Sequence, residues 1–406
     1  MKSWKKIVVA GASVLALATV ASIDSQSVSA AKAKPKGNIT LWVDTNNVPS
    51  YKKLVKKFEK KYPKVKVKVS TSPSGSASAK TDLAKDPSKA ADVFKAPNDQ
   101  LGAMFSAGYI NPLSPSAKKW VKKNDVKLAG KAVTWKGQYL AYPQDEQANI
   151  IYYNKSKLNA TQVKTWKSLT ATGVIGTDFT NAYNWYPAFL SNGTYLYGKN
   201  GEKLKGTKVN NAKGVQVMTW LAAQKSNKGV RQSGAALLSD LEAGKTSAIL
   251  DGPWDGKSVK KMLGDDFGVS ILPKIDFGSG KEKQMKAFAG VGTLAVNAKS
   301  KHQLAAATLA QYLSNHKSQV ALYKGTNAIP VSKKAQKNKA IKADPVAKAV
   351  IKQANRSTVM PKMDQMASFW NLAAPLIDNA YKGKTPASQY KTQLASFEKG
   401  ISGSSK

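Results

Sequence analysis

Ala243–Val259 reads AGKTSAILDGPWDGKSV, and the fold depends on how this stretch is parsed. Gly244 marks a helix end, Ser247–Leu250 is a short apolar strand, and Asp251-Gly252-Pro253 is a tight turn that stops it. Glycine accepts backbone angles that other residues resist and proline fixes its own, so the turn presents Trp254 from a rigid corner. An indole at a strand exit can plug a core or stack on a ligand. A second tryptophan, Trp370, ends MPKMDQMASFW (Met360–Trp370), again after a proline and among methionines and aromatics, which favours the stacking alternative. Gly244-Lys245-Thr246 also resembles the end of a phosphate-binding loop. The glycine required five residues earlier is Ser239, and the preceding segment is helical, so that reading fails.

Outward from this stretch, strands and helices alternate. Asn38–Val43 (NITLWV) is an apolar strand, Ser50–Tyr62 is an amphipathic helix with Leu54, Val55, Phe58 and Tyr62 on one stripe, and Pro63 closes it. Lys64–Val69 (KVKVKV) alternates with period two, valines inward and lysines outward. Ala91–Phe94 is the next strand, running into Lys95–Asp99. Tyr109–Lys136 is turn-rich. Gly137–Pro143 (GQYLAYP) and Ala148–Asn154 (ANIIYYN) are strands, with the acidic and amide patch Gln144–Gln147 between them. Helices are expected at Ala212–Gln224, Gly234–Ala243, Lys301–Leu313, Lys342–Asn355 and from Ala373 onward, and strands at Phe267–Pro273 and Phe288–Val296. This order indicates an α/β protein of two lobes, without internal repeats.

The 406 residues, 42% of them apolar, suffice for two or so domains. Residues 1–30 stand apart. Lys2, Lys5 and Lys6 precede the apolar run Ile7–Ala21, and Val28-Ser29-Ala30 is a small-residue cleavage site, the pattern of an export signal. The mature chain is then expected to begin near Ala31, outside the cytoplasm, with Ala31–Gly37 as a flexible leader. The sequence has no cysteine, which excludes disulfides. Val20-Ala21-Ser22-Ile23 resembles a lipoprotein box with Ile23 where the acylated cysteine would stand, so this sequence offers no lipidatable cysteine there.

The net charge is +40, and only Arg231 and Arg356 are arginine. Arginine's planar fork recognises bases and phosphates bidentately, so its scarcity argues against specific nucleic-acid readout. The lysines are spread along the chain and suit a solvated surface that adheres to anionic cell-wall polymers and weakens with salt.

Signatures of catalysis are sparse. His302 and His316 sit in lysine- and alanine-rich helical sequence without carboxylates at ligand spacing, so neither a metal nor a cofactor is expected. An exported glycosidase needs only two carboxylates, which Asp99, Asp145 and Glu146 could supply, and a basic envelope-adhesion protein is a further alternative. The remaining inventory is one of binding. The flat rings of Trp254, Trp370, Tyr183 and Tyr186, with Trp185 beside them, accompany polar residues near strand ends: Asp44, Asn46, Asn98, Asp99, Glu146 and Gln147. Sugars present apolar C–H faces rimmed by hydroxyls, which rings cover and carboxylates and amides satisfy.

These segments carry a family resemblance over nearly all of Gly37–Ser402. GNITLWVD followed by KKFEKKYPKVKV, then ADVFKAPNDQL, GQYLAYPQDEQANIIYYNKSKL, AGKTSAILDGPWDGKSV, FAGVGTLAVNAKS and MPKMDQMASFWNLA, resemble in order the bacterial maltose/maltodextrin-binding proteins that serve ABC importers. The resemblance implies a two-lobe periplasmic-binding-protein-like fold with crossing hinge segments and a central ligand cleft. It places residues 38–144 plus about 292–340 in the first lobe, and 145–291 plus about 341–406 in the second. It also implies capture of malto-oligosaccharide and docking on membrane permease subunits, with Trp254, Trp370 and Tyr183 as stacking platforms and Asp99 as a first-lobe carboxylate. Three positions depart from the family pattern: Gln147 replaces an acid beside Glu146, Ala96 a tryptophan, and Gln100 an arginine.

Overall fold

Valine–lysine alternation in Val65–Thr71 lets that strand pair in parallel with Gly37–Val43 from end to end, Val65 packed inward and Lys66 and Lys68 in solvent. The computed structural model describes Ala33–Gly403; the expected export signal and the lipoprotein-like Val20–Ile23 lie outside the described residues. Two sheets organise the chain. Their strands, in chain order, are β1 (Gly37–Val43), β2 (Val65–Thr71), β3 (Val93–Pro97), β4 (Tyr142–Gln147), β5 (Ile150–Asn154), β6 (Ile175–Thr177), β7 (Val230–Gln232), β8 (Ala248–Asp251), β9 (Phe267–Ser270), β10 (Phe288–Val296), β11 (Ile329–Pro330) and β12 (Thr358–Val359). The first sheet has the order β11-β4-β10-β3-β1-β2, with β12 also on β10; the second has the order β9-β5-β8-β6-β7.

Each sheet is the floor of one lobe. In the first, the helix Val48–Lys61 buries Tyr51, Leu54, Val55 and Phe58, the stripe its spacing anticipates. Each such side chain contributes about 1.5–3 kcal/mol relative to remaining exposed. The second lobe is packed around aromatics: Phe179 stacks on Trp185 at 4.6 Å and on Tyr381 at 4.3 Å, and Trp166 meets Trp185 edge-on at 5.4 Å. The chain crosses between sheets at Ala148–Asn149, again just before Phe288, and again around Thr358–Val359, where β12 pairs with Phe288–Ala289. β4 and β10 therefore lie wholly in the first sheet.

Several local expectations change. Gln144–Gln147 is not a connection between strands but the buried end of β4. Most of its polar groups are paired internally: Tyr51 donates to Gln144, Lys95 pairs with Asp145 at 3.0 Å, and Gln147 Nε2 donates to Asp145 Oδ1 at 3.0 Å; Glu146 Oε2 is the exception. Tyr109–Lys136 contains the helices Pro115–Asn124, capped by Ser114, and Lys127–Ala132. The single helix expected over Lys342–Asn355 is broken into Lys339–Ala343 and Pro345–Ala354, because Pro345 cannot continue a helix and Asp344 caps the second, accepting from Val346 N at 3.0 Å. Gly37 opens β1 rather than ending the leader.

Candidate ligand cleft

At the exit of β8 the turn does what its composition anticipates. Pro253–Asp255 forms a short 3-10 turn, and the indole of Trp254 folds back over Gly252, where a Cβ would lie 2.1–2.4 Å from the ring. Tyr152 Oη donates to Gly252 O at 2.9 Å from the second sheet, and Asn327 Nδ2 donates to Pro253 O at 3.0 Å from the first lobe. The corner is pinned from both sides, yet the indole itself is 49% exposed.

Trp254 borders a cleft of about 400 Å³ together with Trp370, Tyr183, Asp99 and Gln147. The cleft continues past Trp254 and Gln147 into a second hollow of about 390 Å³, lined among others by Asp44, Asn46 and Glu146. The two tryptophans are joined by a chain of rings: Trp254 to Tyr183 at 6.4 Å, Tyr183 to Phe288 at 6.1 Å, and Phe288 to Trp370 at 5.7 Å. Trp370, near the start of the helix Met366–Tyr381, also donates from Nε1 to Asp99 Oδ2 at 3.1 Å. Aromatic groups thus form one wall and polar groups from β3, β4 and the loop after β1 the other.

The polar wall is held in perturbed states. Asp99 is buried, and that burial pushes its carboxyl up to about 6, opposed by the Trp370 indole N–H, which favours the ionised form. Burial likewise pushes Glu146 up to about 8; Gln336 Nε2 donates to its Oε1 at 3.4 Å, and Oε2 has no partner among the described residues. Glu146 is therefore largely protonated at neutral pH and can donate as well as accept. Lys95 is also buried; burial alone would depress its ammonium, but Asp145 beside it prevails and holds it above its ordinary value. Asp44 is committed in part to its own loop, accepting from Ser76 N at 2.8 Å and from Ser76 Oγ at 2.9 Å.

Three of the anticipated residues lie elsewhere. Tyr186 is wholly buried, stacked with Phe288 at 6.1 Å and edge-on to Phe369 at 4.7 Å. Trp185 is core as well, its Nε1 donating to Thr177 Oγ1 at 2.9 Å. Asn98 is a structural tie, donating to Met360 O at 3.1 Å and accepting from Val291 N at 2.9 Å. The cleft instead gains Met360, Met363 and Met366, soft apolar side chains from the segment that carries Trp370, with Lys80 and Gln100 on the first-lobe side. The methionines stood in the sequence stretch singled out for its tryptophan. Nothing local marked Lys80 as a lining residue.

Comparison with known proteins agrees with this architecture. Residues 53–349 match the family described as bacterial extracellular solute-binding protein. A maltooligosaccharide ABC transporter solute-binding lipoprotein of Streptococcus pneumoniae is 26% identical over 407 residues, 93% of each chain. A galactooligosaccharide-binding protein of Bacillus subtilis is 25% identical over 405 residues, 94% of each. The solved structure of a maltodextrin-binding protein from L. casei, without ligand, has 59% identity and a TM-score of 0.87, covering 91% of this chain and 100% of that one. The chain belongs to the bacterial extracellular solute-binding proteins, a family of binding proteins rather than glycosidases.

Proposed function

We propose that this extracellular solute-binding protein captures malto-oligosaccharides between its two lobes and delivers them to the membrane subunits of an ABC importer. The observation that carries the reading is the pairing of Trp254 and Trp370 on one cleft wall, opposite Asp99, Glu146 and Gln147 on the other. The indoles cover the apolar faces of successive sugar rings. The carboxyl and amide groups take the hydroxyls, including one for the unpartnered Glu146 Oε2. Because the two walls belong to different sheets, a sugar touching both favours the closed arrangement of the lobes, which is the form we assign to docking on the importer. The first lobe in this reading is built on β1–β4, β10 and β11, and the second on β5–β9 with the C-terminal helices.

The similarity to a maltodextrin-binding protein at 59% identity supports the sugar class, and the galactooligosaccharide-binding relative names its main competitor. The test is calorimetric titration with maltose, maltotriose, maltotetraose, a galacto-oligosaccharide and glucose. Saturable binding of the maltodextrins with one site per chain, and none of glucose, is expected; binding of the galacto-oligosaccharide alone would overturn the reading. The lysine-rich surface supports a finer proposal, retention at the envelope by anionic wall polymers through screened contacts that weaken with salt.

A further inference from the structure

A second cavity, of about 720 Å³, shares no lining residue with the cleft. It lies between the first-lobe helices Pro115–Asn124 and Lys127–Ala132, the second-lobe turn at residues 199–202, and the crossing segment that contains β12. Six lysines line it: Lys122, Lys127, Lys131 and Lys333 from the first lobe, Lys199 from the second, and Lys362 just after β12. Only two carboxyl groups, Asp125 and Glu202, stand among them.

Three features separate this from an ordinary solvated surface. Among the described residues, none of the six lysines lies within ion-pair distance of a carboxylate. Two of the ammonium groups rest instead on main-chain carbonyls, Lys362 on Lys131 O at 3.3 Å and Lys333 on Lys122 O and Lys123 O, both at 3.1 Å. Lys362 is itself only 3% exposed, and that burial pushes its ammonium down to about 8 against the opposing pull of Glu202, so an arriving anion would favour its charged form. Finally, Asp125 is 2% exposed with neither carboxylate oxygen hydrogen-bonded among the described residues. Burial pushes that carboxyl up to about 8, opposed by the nearby Gln319 amide and Lys333 ammonium, which lessens its repulsion of an anion.

We propose that this cavity is a second ligand site, taking a small phosphate-bearing polyanion. Several compact ammonium charges without carboxylate partners suit a ligand of high charge density with many acceptor oxygens, and the volume is that of a small-molecule pocket. A monocarboxylate has too little charge to engage lysines on four separate segments. The crossing segment makes the position consequential: Ser357, Thr358, Val359 and Lys362 face this cavity, while Met360, Met363 and Asp364 face the cleft. A bound anion gathers Lys199 of the second lobe toward Lys127 and Lys131 of the first, so it biases the same lobe arrangement that the cleft ligand biases.

The test is calorimetric titration of the full chain at physiological salt, with tripolyphosphate as the free polyanion and poly(glycerol phosphate) as the envelope polymer; which of them binds tells the two sources apart. Lys131→Gln with Lys333→Gln alters two exposed pocket lysines, and Lys52→Gln with Lys53→Gln makes the same charge change on the exposed face of the helix Val48–Lys61. The expected result is saturable binding of at least one probe, weakened about tenfold or more by the pocket pair and less than about twofold by the control pair. Equal weakening by both pairs, or no saturable binding by either probe, would overturn the site. Neither readout depends on what the cleft binds.

Discussion

Trp370 donates its indole N–H to Asp99 at 3.1 Å, joining a helix of the second lobe to the loop after β3 in the first, 271 residues away in the chain. This bond spans the cleft where the ligand is proposed to lie. It also ties the aromatic platform to a carboxyl group whose charge is sensitive to pH.

A pH dependence follows with a defined sign. The Asp99 carboxyl titrates near 6 in the folded protein, above its ordinary 3.8, so the folded state holds more protons than the unfolded state between those values. Its contribution to stability is accordingly lost as pH rises through that window. Sugar hydroxyls that donate to the carboxylate favour the ionised form, so binding releases a proton. Maltotriose affinity is expected to fall by about tenfold from pH 7 to pH 5. Asp99→Asn, measured by calorimetry at both pH values, should flatten the profile; an unchanged slope in that variant would show that another group is responsible.

Trp254→Ala removes a half-exposed ring that lies over Gly252 and outside the lobe cores. The expected loss of sugar affinity is about 2 kcal/mol or more, the scale of a central binding anchor. Thermal stability should change little, which a melting scan checks alongside the titration.

Gly252→Ala tests the corner rather than the ring. The added methyl would meet the Trp254 indole at 2.1–2.4 Å, so the ring must swing away while remaining in the chain. Weakened sugar binding with a blue- or red-shifted Trp254 emission is expected. Binding equal to wild type would mean that the indole's present position is immaterial.

Lys95 and Asp145 form a buried pair at 3.0 Å on neighbouring sides of β10. Lys95→Met leaves Asp145 uncompensated and should cost about 3–5 kcal/mol in a denaturant titration. Replacing both, with Asp145→Leu added, should recover much of the loss, since an apolar pair of similar volume removes the unpaired charge.

Gly102 lies against the crossing segment, where a Cβ would come within 1.8 Å of Lys362 O. The obstacle is main chain, so Gly102→Ala cannot be relieved by a side-chain rotation. The variant is expected to melt well below wild type and to bind sugar more weakly, as the first lobe is pushed off the segment that carries Trp370.

Much of this architecture was legible because local chemistry and global fold agree. The alternation in Lys64–Val69 set one strand's faces, and Asp251-Gly252-Pro253 announced both the end of β8 and the presentation of Trp254. Where polarity alone was the guide, the reading failed. Gln144–Gln147 reads as an acidic and amide patch where two strands meet, yet Gln144–Glu146 are buried within a strand because Tyr51 and Lys95, remote in sequence, supply partners there. Tyr183 and Tyr186 illustrate the limit at the site. They are one helical turn apart with the same residue type, but Tyr183 borders the cleft and Tyr186 packs among Phe288, Phe369 and Phe397. Asn98 and Asp99 are adjacent and similar in size, and only the position of Val291 and Met360 assigns Asn98 to structure. Such choices are made by elements that meet across the cleft, which local periodicity does not contain.

The most direct measurement is calorimetric titration of maltotriose into the unmodified protein and into a variant carrying both Trp254→Ala and Trp370→Ala. Saturable one-site binding to the former, and none measurable to the folded double variant, is the result that places the sugar between these two indoles. Comparable affinity in both proteins would contradict it.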